Sequence, residues 1–411
     1  REPPSRSSCA QQRAGGAGRG EEVAHPFQVA AAMFEFNGTA SYQLKQQARC
    51  ITAVEGDTDH NKFVVCSLEL REENELHVLE FNEDTNEVWC QRVYSHPNEV
   101  WECASCPAPE HAELFFTTHA SGSQLKTTLW RLEGLDEPAP SAAVGGEGGG
   151  VPSAPPAVPL TEVLELPLTC GLGESRGVLW NAVLPEMVAL LHARSLQLYT
   201  LAHGVSTSSA TDGLQAPPAA ADATFGCGRW DPHHAHSLGV SCERDLLIYD
   251  TRTMKRTHTV PDAHAQRVRS LDYNPNRPHV ALSAGEDFSM RWWDLRKPGS
   301  PLLVQRAHQH WATAAQFNRF HDQLVLSAGT DSLVKLWRAS SISSSPPSLD
   351  DDAEADETAP DALVETFDAH EQSVFGAAWS AADAWIFASL SLDGKCVINH
   401  VPPAEKYKIL L

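Results

Sequence analysis

The chain lacks most of what marks a membrane protein, a secreted protein or an enzyme. No apolar run reaches the roughly 18 residues of a membrane-spanning helix, so no helical span is expected. The first thirty residues carry Arg1, Arg6, Arg13 and Arg19 among glycine and alanine, without the roughly 7–15-residue apolar block of a secretory leader. They also contain no methionine. Met33 is read as a plausible start, with residues 1–32 a disordered segment or an extension of the gene model. Basic residues are scarce: 31 Lys and Arg stand against 53 Asp and Glu, a net charge of −22. Phosphate contacts need a cationic surface, so direct nucleic-acid binding is not expected. Catalytic signatures are missing too: there is no G-x-S-x-G, no phosphate-binding G-x-x-x-x-G-K-[ST] and no H-E-x-x-H.

Metal and redox chemistry have little to rest on. The ten cysteines are scattered through strand-like segments. Without a leader, they are expected to be reduced and buried. Cys103 and Cys106 form one C-x-x-C, but no second pair and no histidine at zinc-finger spacing follows. DPHHAH at 231–236 brings together His233, His234 and His236 with no carboxylate or cysteine at helical spacing, and reads as a hydrated turn. No catalytic residue, cofactor site or metal ligand is assigned.

What the sequence does hold is a repeat. In the second half, His264, Ser283, Asp287 and Trp293 recur as His308, Ser327, Asp331 and Trp337, and again as His370, Ser389, Asp393 and Asn399. The offsets from each histidine are 19, 23 and 29 in all three, and the first two histidines stand 44 residues apart. That is the ~40–45-residue period of a WD repeat, in which each unit is a four-stranded propeller blade. The spacing has a physical reason. The histidine precedes the innermost strand, the serine ends the second, the aspartate sits in the turn after it, and the tryptophan lies on the third. Folding brings them into one buried network in which every member is paired: aspartate to imidazole, imidazole to hydroxyl, hydroxyl to indole. The aspartates and histidines are therefore read as structural rather than catalytic. In the stretch SAGEDFSMRWWD at 283–294, Trp293 belongs to the network and Trp292, on the other face of the strand, packs on the neighbouring blade.

Four weaker units precede these: ARCITAV, FVVCSL, ELHVLEF and VWCQRV within 48–93; VWECAS, ELFFTT and KTTLWRL after His96; VLWNAV, MVALLH and SLQLYTL; and FGCGRW, SLGVSC and DLLIYDTR, with Tyr249-Asp250 in the Trp-Asp place. Short alternating segments between turn signals read as strands. The expected fold is all-β: a seven-bladed WD-repeat β-propeller with disordered loop insertions, occupying 42–411. Its blades lie at about 48–93, 96–165, 176–202, 224–260, 264–306, 308–368 and 370–403. Residues 1–41 form a disordered segment. The last blade shows only three strands, so its outer strand comes from Phe34–Tyr42 or from Tyr407–Leu410; the N-terminal clasp is favoured. The insertions are 134–160, 203–222 and 340–362, which are too poor in apolar residues to order themselves. The last is strongly acidic; it reads either as a solvated insertion or as a docking or phosphorylation element near Ser343, Ser344 and Ser345.

Function on such a scaffold is argued from its surface. The residue three after each network histidine enters the innermost strand beside the channel mouth: Arg267, Trp311 and Ser373. Arginine and tryptophan there suit a partner-binding rim, although Trp311 also reads as a cover for its blade.

The stretches YQLKQQARCI (42–51), SHPNEVW (95–101), GRWDPHH (228–234), RSLDYNPN (269–276), HQHWATAAQFN (308–318) and AAWSAADAWIFASLSLDGKCVINHVPPAEKYKILL (377–411) resemble the EARP and GARP complex-interacting protein family of WD-repeat proteins, also called tumour-suppressing subtransferable candidate proteins. The resemblance runs from about Tyr42 to the C-terminus, and includes Asn399 in place of the last tryptophan. It implies a monomeric propeller that partners the subunits of two multisubunit tethers, one for endosomal recycling and one for retrograde traffic to the trans-Golgi network. It also implies a cytoplasmic location, peripheral at those membranes and reached through partners. Two other readings stay open. Trp293-Asp294-Leu295-Arg296 and Tyr249-Asp250-Thr251-Arg252 are compatible with a substrate receptor of a cullin-RING ubiquitin ligase. The acidity is compatible with a chromatin or histone-binding propeller.

Overall fold

The structure, a computed structural model, describes residues 39–70, 73–135, 137, 154–166, 174–202, 206–210, 214–215, 223–344 and 361–410. Among the described residues seven sheets follow one another along the chain, and in each the three inner strands are antiparallel neighbours laid inner to outer in sequence order. In blade five the strands are Val268–Tyr273, Val280–Gly285, Ser289–Asp294 and Leu303–Arg306. Blade six repeats them as Ala312–Phe317, Leu324–Gly329, Val334–Ala339 and Asp361–Phe367. The second and third strands are buried on both faces, which is why they read as VALSAG, SMRWWD and LVLSAG rather than as a clean alternation.

The core is a set of seven apolar clusters, each shared by two adjacent blades. Trp292, fully buried, lies with Ala312, Phe317 and Trp337 between blades five and six. Trp293 faces the other way, with Ile248, Val260 and Leu271 between blades four and five. One residue of strand alternation thus assigns two adjacent indoles to two different interfaces.

The ring closes through an N-terminal strand. Ala40–Gln43 pairs antiparallel with Lys395–His400 and forms the outer edge of blade seven. Ala40 and Leu44 join Phe63, Leu79, Ile386 and Ile398 in the cluster between blades seven and one. The other candidate is a helix, Pro403–Leu410, whose buried Glu405 takes both oxygens to Arg338 Nη1 at 3.0 and 3.1 Å. Closure pairs the edge that an open sheet would leave exposed.

Residues 1–38, including Met33, lie outside the described residues, as does most of the three insertions. Where those insertions are described, all three differ from expectation. In the segment read as 340–362, Ser340–Ile342 forms a 3-10 helix, Ser343 is buried, and Ser344 Oγ donates to Asp322 Oδ1 at 2.8 Å. Ser206–Ala210, inside the segment read as 203–222, pairs with Ser195–Ala202 as an outer strand of blade three. Val158–Pro159, inside 134–160, runs parallel to Tyr94–Ser95 at the edge of blade one. An outer strand pairs on one side only, so its sequence carries less of the apolar signal that marks an inner strand.

Candidate functional site

The histidine networks come first, because they fix the loops around the channel mouth. In blade five His264 Nδ1–H donates to Asp287 Oδ1 at 2.9 Å, its Nε2 accepts from the Ser283 hydroxyl at 2.7 Å, and Trp293 Nε1–H donates to Ser283 Oγ at 2.9 Å. The carboxylate only accepts, so the proton of that pair is on Nδ1, and the hydroxyl links the ring to the indole. Blade six repeats it: His308 to Asp331, His308 to Ser327 and Trp337 to Ser327, each at 2.9 Å. His264, Ser283, His308 and Ser327 are at most 1 % exposed. Burial alone disfavours the ionised Asp287 carboxyl, but the hydrogen bonds from His264, Ser289 and the Ala265 amide outweigh it and hold the group well below its ordinary value. Asp331 is held down in the same way by His308 and the Gln309 amide.

Blade seven departs from the expected network. Asp393 does not bond to His370. Ser391 stands between them, accepting from His370 Nδ1 at 2.8 Å and donating to Asp393 at 2.5 Å. Ser389 still meets His370 Nε2 at 2.8 Å. Asn399 replaces the indole, and its Oδ1 is buried without a partner. Burial, with the Lys395 charge, pushes His370 down to about 4, so the ring is neutral.

A fourth network is present that the repeat search missed. In blade two, His96 Nε2 meets Thr117 Oγ1 at 3.0 Å and Trp130 Nε1–H donates to the same oxygen at 2.8 Å, while His96 Nδ1 bonds the Asn98 carbonyl at 2.7 Å. Threonine replaces serine, a carbonyl replaces the aspartate, and the first offset is 21 instead of 19. The readable signal was Trp130-Arg131 closing a strand-like segment downstream of His96.

The positions expected to form the rim differ in what they leave open. Arg267 is engaged inside the molecule: it donates to Glu243 Oε1 at 2.7 Å, to Glu243 Oε2 at 3.2 Å and to Thr224 Oγ1 at 2.9 Å, tying blade five to blade four. Ser373 donates to the Thr330 carbonyl at 3.3 Å. Trp311 remains 38 % exposed, with the Arg269 guanidinium 5.2 Å from its ring and His310 beside it. Behind this rim runs the central channel, a cavity of about 870 Å³.

The other motifs are absorbed by local structure. Cys103 lines the channel near Cys50 and Cys66, whereas Cys106 packs in the cluster between blades two and three. His234 bonds Asp231 at 2.9 Å and His233 bonds the Asn274 carbonyl at 3.0 Å. Among the described residues, no cluster of three or more His, Cys, Asp or Glu side chains is arranged to hold a metal. Arg296 closes on its own Asp294 with two bonds of 2.9 Å, and Arg252 on Asp250 with two of 3.3 Å.

Comparison with known proteins follows the same lines. A family model described as EIPR1 beta-propeller matches residues 37–337, and one described as WD domain, G-beta repeat matches 362–398. The chain is 33 % identical to the WD repeat-containing protein DWA2 of Arabidopsis thaliana, covering 88 % of this chain and 96 % of that one. It is 32 % identical to EARP and GARP complex-interacting protein 1 of Rattus norvegicus and 31 % to that of Homo sapiens, in both cases over 90 % of this chain and 98 % of the relative. With one family model spanning most of the blades and relatives aligned almost end to end, the chain belongs to the EARP and GARP complex-interacting protein family of WD-repeat β-propellers.

Proposed function

We propose that this protein is a non-enzymatic adaptor that binds multisubunit vesicle-tethering complexes of the EARP and GARP type. In this reading it supports endosomal recycling and endosome-to-Golgi retrograde traffic. One observation carries the reading: relatives named for interaction with those complexes align with the chain over 98 % of their own length, propeller included. The protein works as a monomeric propeller in the cytoplasm, reaches trans-Golgi and endosomal membranes through its partners, and does not touch nucleic acid directly. The exposed Trp311 is the contact residue chosen for test. Truncating a buried interface tryptophan costs about 2–4 kcal/mol, or roughly 30- to 1000-fold in affinity.

The experiment is affinity purification of the full chain from its native cells with mass spectrometry, beside Trp311→Ala and Arg267→Ala. Tether subunits should co-purify with the wild type and fall away with Trp311→Ala. Arg267→Ala should weaken recovery less, since its guanidinium is held by Glu243 and Thr224. Recovery of a ubiquitin-ligase adaptor or of histones in place of tether subunits would refute the reading.

A further inference from the structure

The seven inner strands share one irregularity. Each shifts register between its first and third residues, or in blade four its first and fourth. This is a β-bulge, in which an extra residue leaves the ladder and its side chain is re-aimed. The first residue of every inner strand is buried between blades. The second lines the channel: Arg49, Trp101, Arg176, Gly226, Arg269, Thr313 and Phe375. All seven stand at the same end, where the inner strands begin. Three of them are arginines, in a chain with a net charge of −22.

Two of these arginines lie against aromatic rings, and only one of the two is also ion-paired. The Arg49 guanidinium lies 5.3 Å from the Trp101 ring and 5.1 Å from Phe375. Arg269 lies 5.2 Å from Trp311 and bonds Glu286 through Nη2, leaving a buried Nε without a partner. Arg176 likewise has a buried, unpartnered Nε. Among the described residues no ion pair within 4.0 Å holds Arg49 or Arg176. Stacking holds a guanidinium plane while leaving its edge donors free, the geometry that takes a carboxylate in two parallel bonds. Glu102 is exposed to the channel beside Arg49; the protein crowding its carboxyl pushes it up to about 7 against the pull of Arg49. The other end of the channel is different: Arg319 is paired with Glu55, and Arg229 with Asp272 at 3.2 Å. Among the described residues, Arg49 and Arg176 are thus channel arginines without an ion pair, and both stand at the mouth where the inner strands begin.

We infer that this mouth is the docking site for an acidic peptide segment of a partner protein, its carboxylates taken by Arg49 and Arg176 and an apolar side chain laid on Trp311. The inference rests on the adaptor reading and names the surface and partner chemistry for it. The cavity of about 870 Å³ falls within the roughly 300–1,000 Å³ of ligand sites. A long nucleic acid is disfavoured because the acidic surface repels a dense polyphosphate, whereas a short acidic segment meets mainly the local ring within the ~8 Å screening length at physiological salt. The chain's own acidic insertion leaves from the opposite end. It joins the third and outer strands of blade six, and the third strand runs away from the mouth at which the inner strand starts.

The test is fluorescence anisotropy with a short dye-labelled peptide of aspartates and glutamates around one phenylalanine. The same peptide with asparagine and glutamine is the first comparison, and an oligonucleotide the second. The acidic peptide should bind at least tenfold tighter than the neutral one, weaken as salt rises, and lose at least tenfold on Arg49→Gln with Arg176→Gln. The control Lys255→Gln with Arg256→Gln removes the same charge from an exposed outer strand and should leave binding unchanged. Equal binding of the neutral peptide, displacement by the oligonucleotide, or equal losses in both double variants would overturn the inference. If the arginine variant does not fold, the neutral-peptide comparison and the salt titration on the wild type still decide. Tether co-purification separates the two readings: a folded arginine variant that keeps its tether subunits refutes this surface and leaves the adaptor reading standing, whereas a wild type that recovers none refutes the adaptor reading.

Discussion

The networks of blades six and seven make opposite predictions for the same substitution. In blade six, Asp331 Oδ1 accepts from His308 Nδ1–H at 2.9 Å, and Oδ2 from the Gln309 amide at 2.9 Å. Asp331→Ala strands a donor on a ring that is 1 % exposed. A stranded buried donor costs about 1–3 kcal/mol, and the lost amide bond about 1 more, for a total of roughly 2–4 kcal/mol. In blade seven, Asp393→Ala leaves His370 its partner Ser391, whose hydroxyl turns to the Lys395 carbonyl 3.3 Å away. That change costs under about 1 kcal/mol. Ser391→Ala is the matched control, because it strands His370 Nδ1 as Asp331→Ala strands His308. At an unfolding entropy of about 2.1 cal/mol/K per residue, a propeller of this size loses about 1 °C of Tm per kcal/mol. Calorimetry on the three variants should find Asp331→Ala and Ser391→Ala each down by roughly 2–5 °C, and Asp393→Ala within about 1 °C of wild type. Equal losses for the two aspartates, or a silent Ser391→Ala, would refute the reasoning.

Four further outcomes are expected. Asp287 and Asp331 titrate below their ordinary range when folded, so the unfolded chain binds more protons; the stability they contribute is present above about pH 4 and is lost as pH falls. Asp287→Asn should flatten that acid limb of a Tm-against-pH curve, and an unchanged limb would contradict the network. Glu102 has the opposite sign: its folded value is raised to about 7, so its contribution is favourable at low pH and is lost as pH rises from about 4.3 through 7. Glu102→Gln should therefore match wild type near pH 4 and exceed it in Tm at pH 8. Gly394 has φ +80°, and an added Cβ would sit 2.3 Å from the Gln46 carbonyl, so Gly394→Ala should raise proteolysis of the N-terminal strand that closes the ring, with a Tm loss of at least 1–2 °C. Thr117→Val should cost roughly 1–3 kcal/mol by leaving Trp130 Nε1 and His96 without their shared oxygen, a loss that urea unfolding would read.

The parts of the fold that the sequence disclosed are those where several buried side chains must meet at fixed separations. Blades five to seven repeat because an imidazole, a hydroxyl and a carboxylate can satisfy one another only when the strand and turn lengths between them are constant. Once a different solution is found, the period blurs. Blade two keeps the chemistry with Thr117 and the Asn98 carbonyl at a changed spacing. Blade three pairs His192 with Gln197, and Tyr199 donates to the same amide oxygen. Blade seven inserts Ser391, a residue that no comparison of histidines and aspartates would select. Outer strands were the least legible. Ser206–Ala210 lies within a segment whose composition reads as a linker.

The candidate site was half legible for a geometric reason. Counting three residues from each histidine reaches Arg267, Trp311 and Ser373, which stand just before the inner strands. Of these, Arg267 and Ser373 turn back onto neighbouring blades. The channel is lined two residues further on, by Arg269, Thr313 and Phe375. In a regular strand those side chains would take their place in the alternation between neighbouring blades. The bulge removes one residue per strand from that alternation. In a sequence it shows only as a broken alternation, indistinguishable from a poor strand. It is visible once the register of all seven inner strands is set side by side. Because every bulge falls at the same place, the residues it frees form a ring, and the character of that ring is set by substitutions that the core does not constrain. Arg49 and Arg269 pack on aromatic rings of neighbouring blades, so the same positions that tie blades together also give this mouth its positive charge.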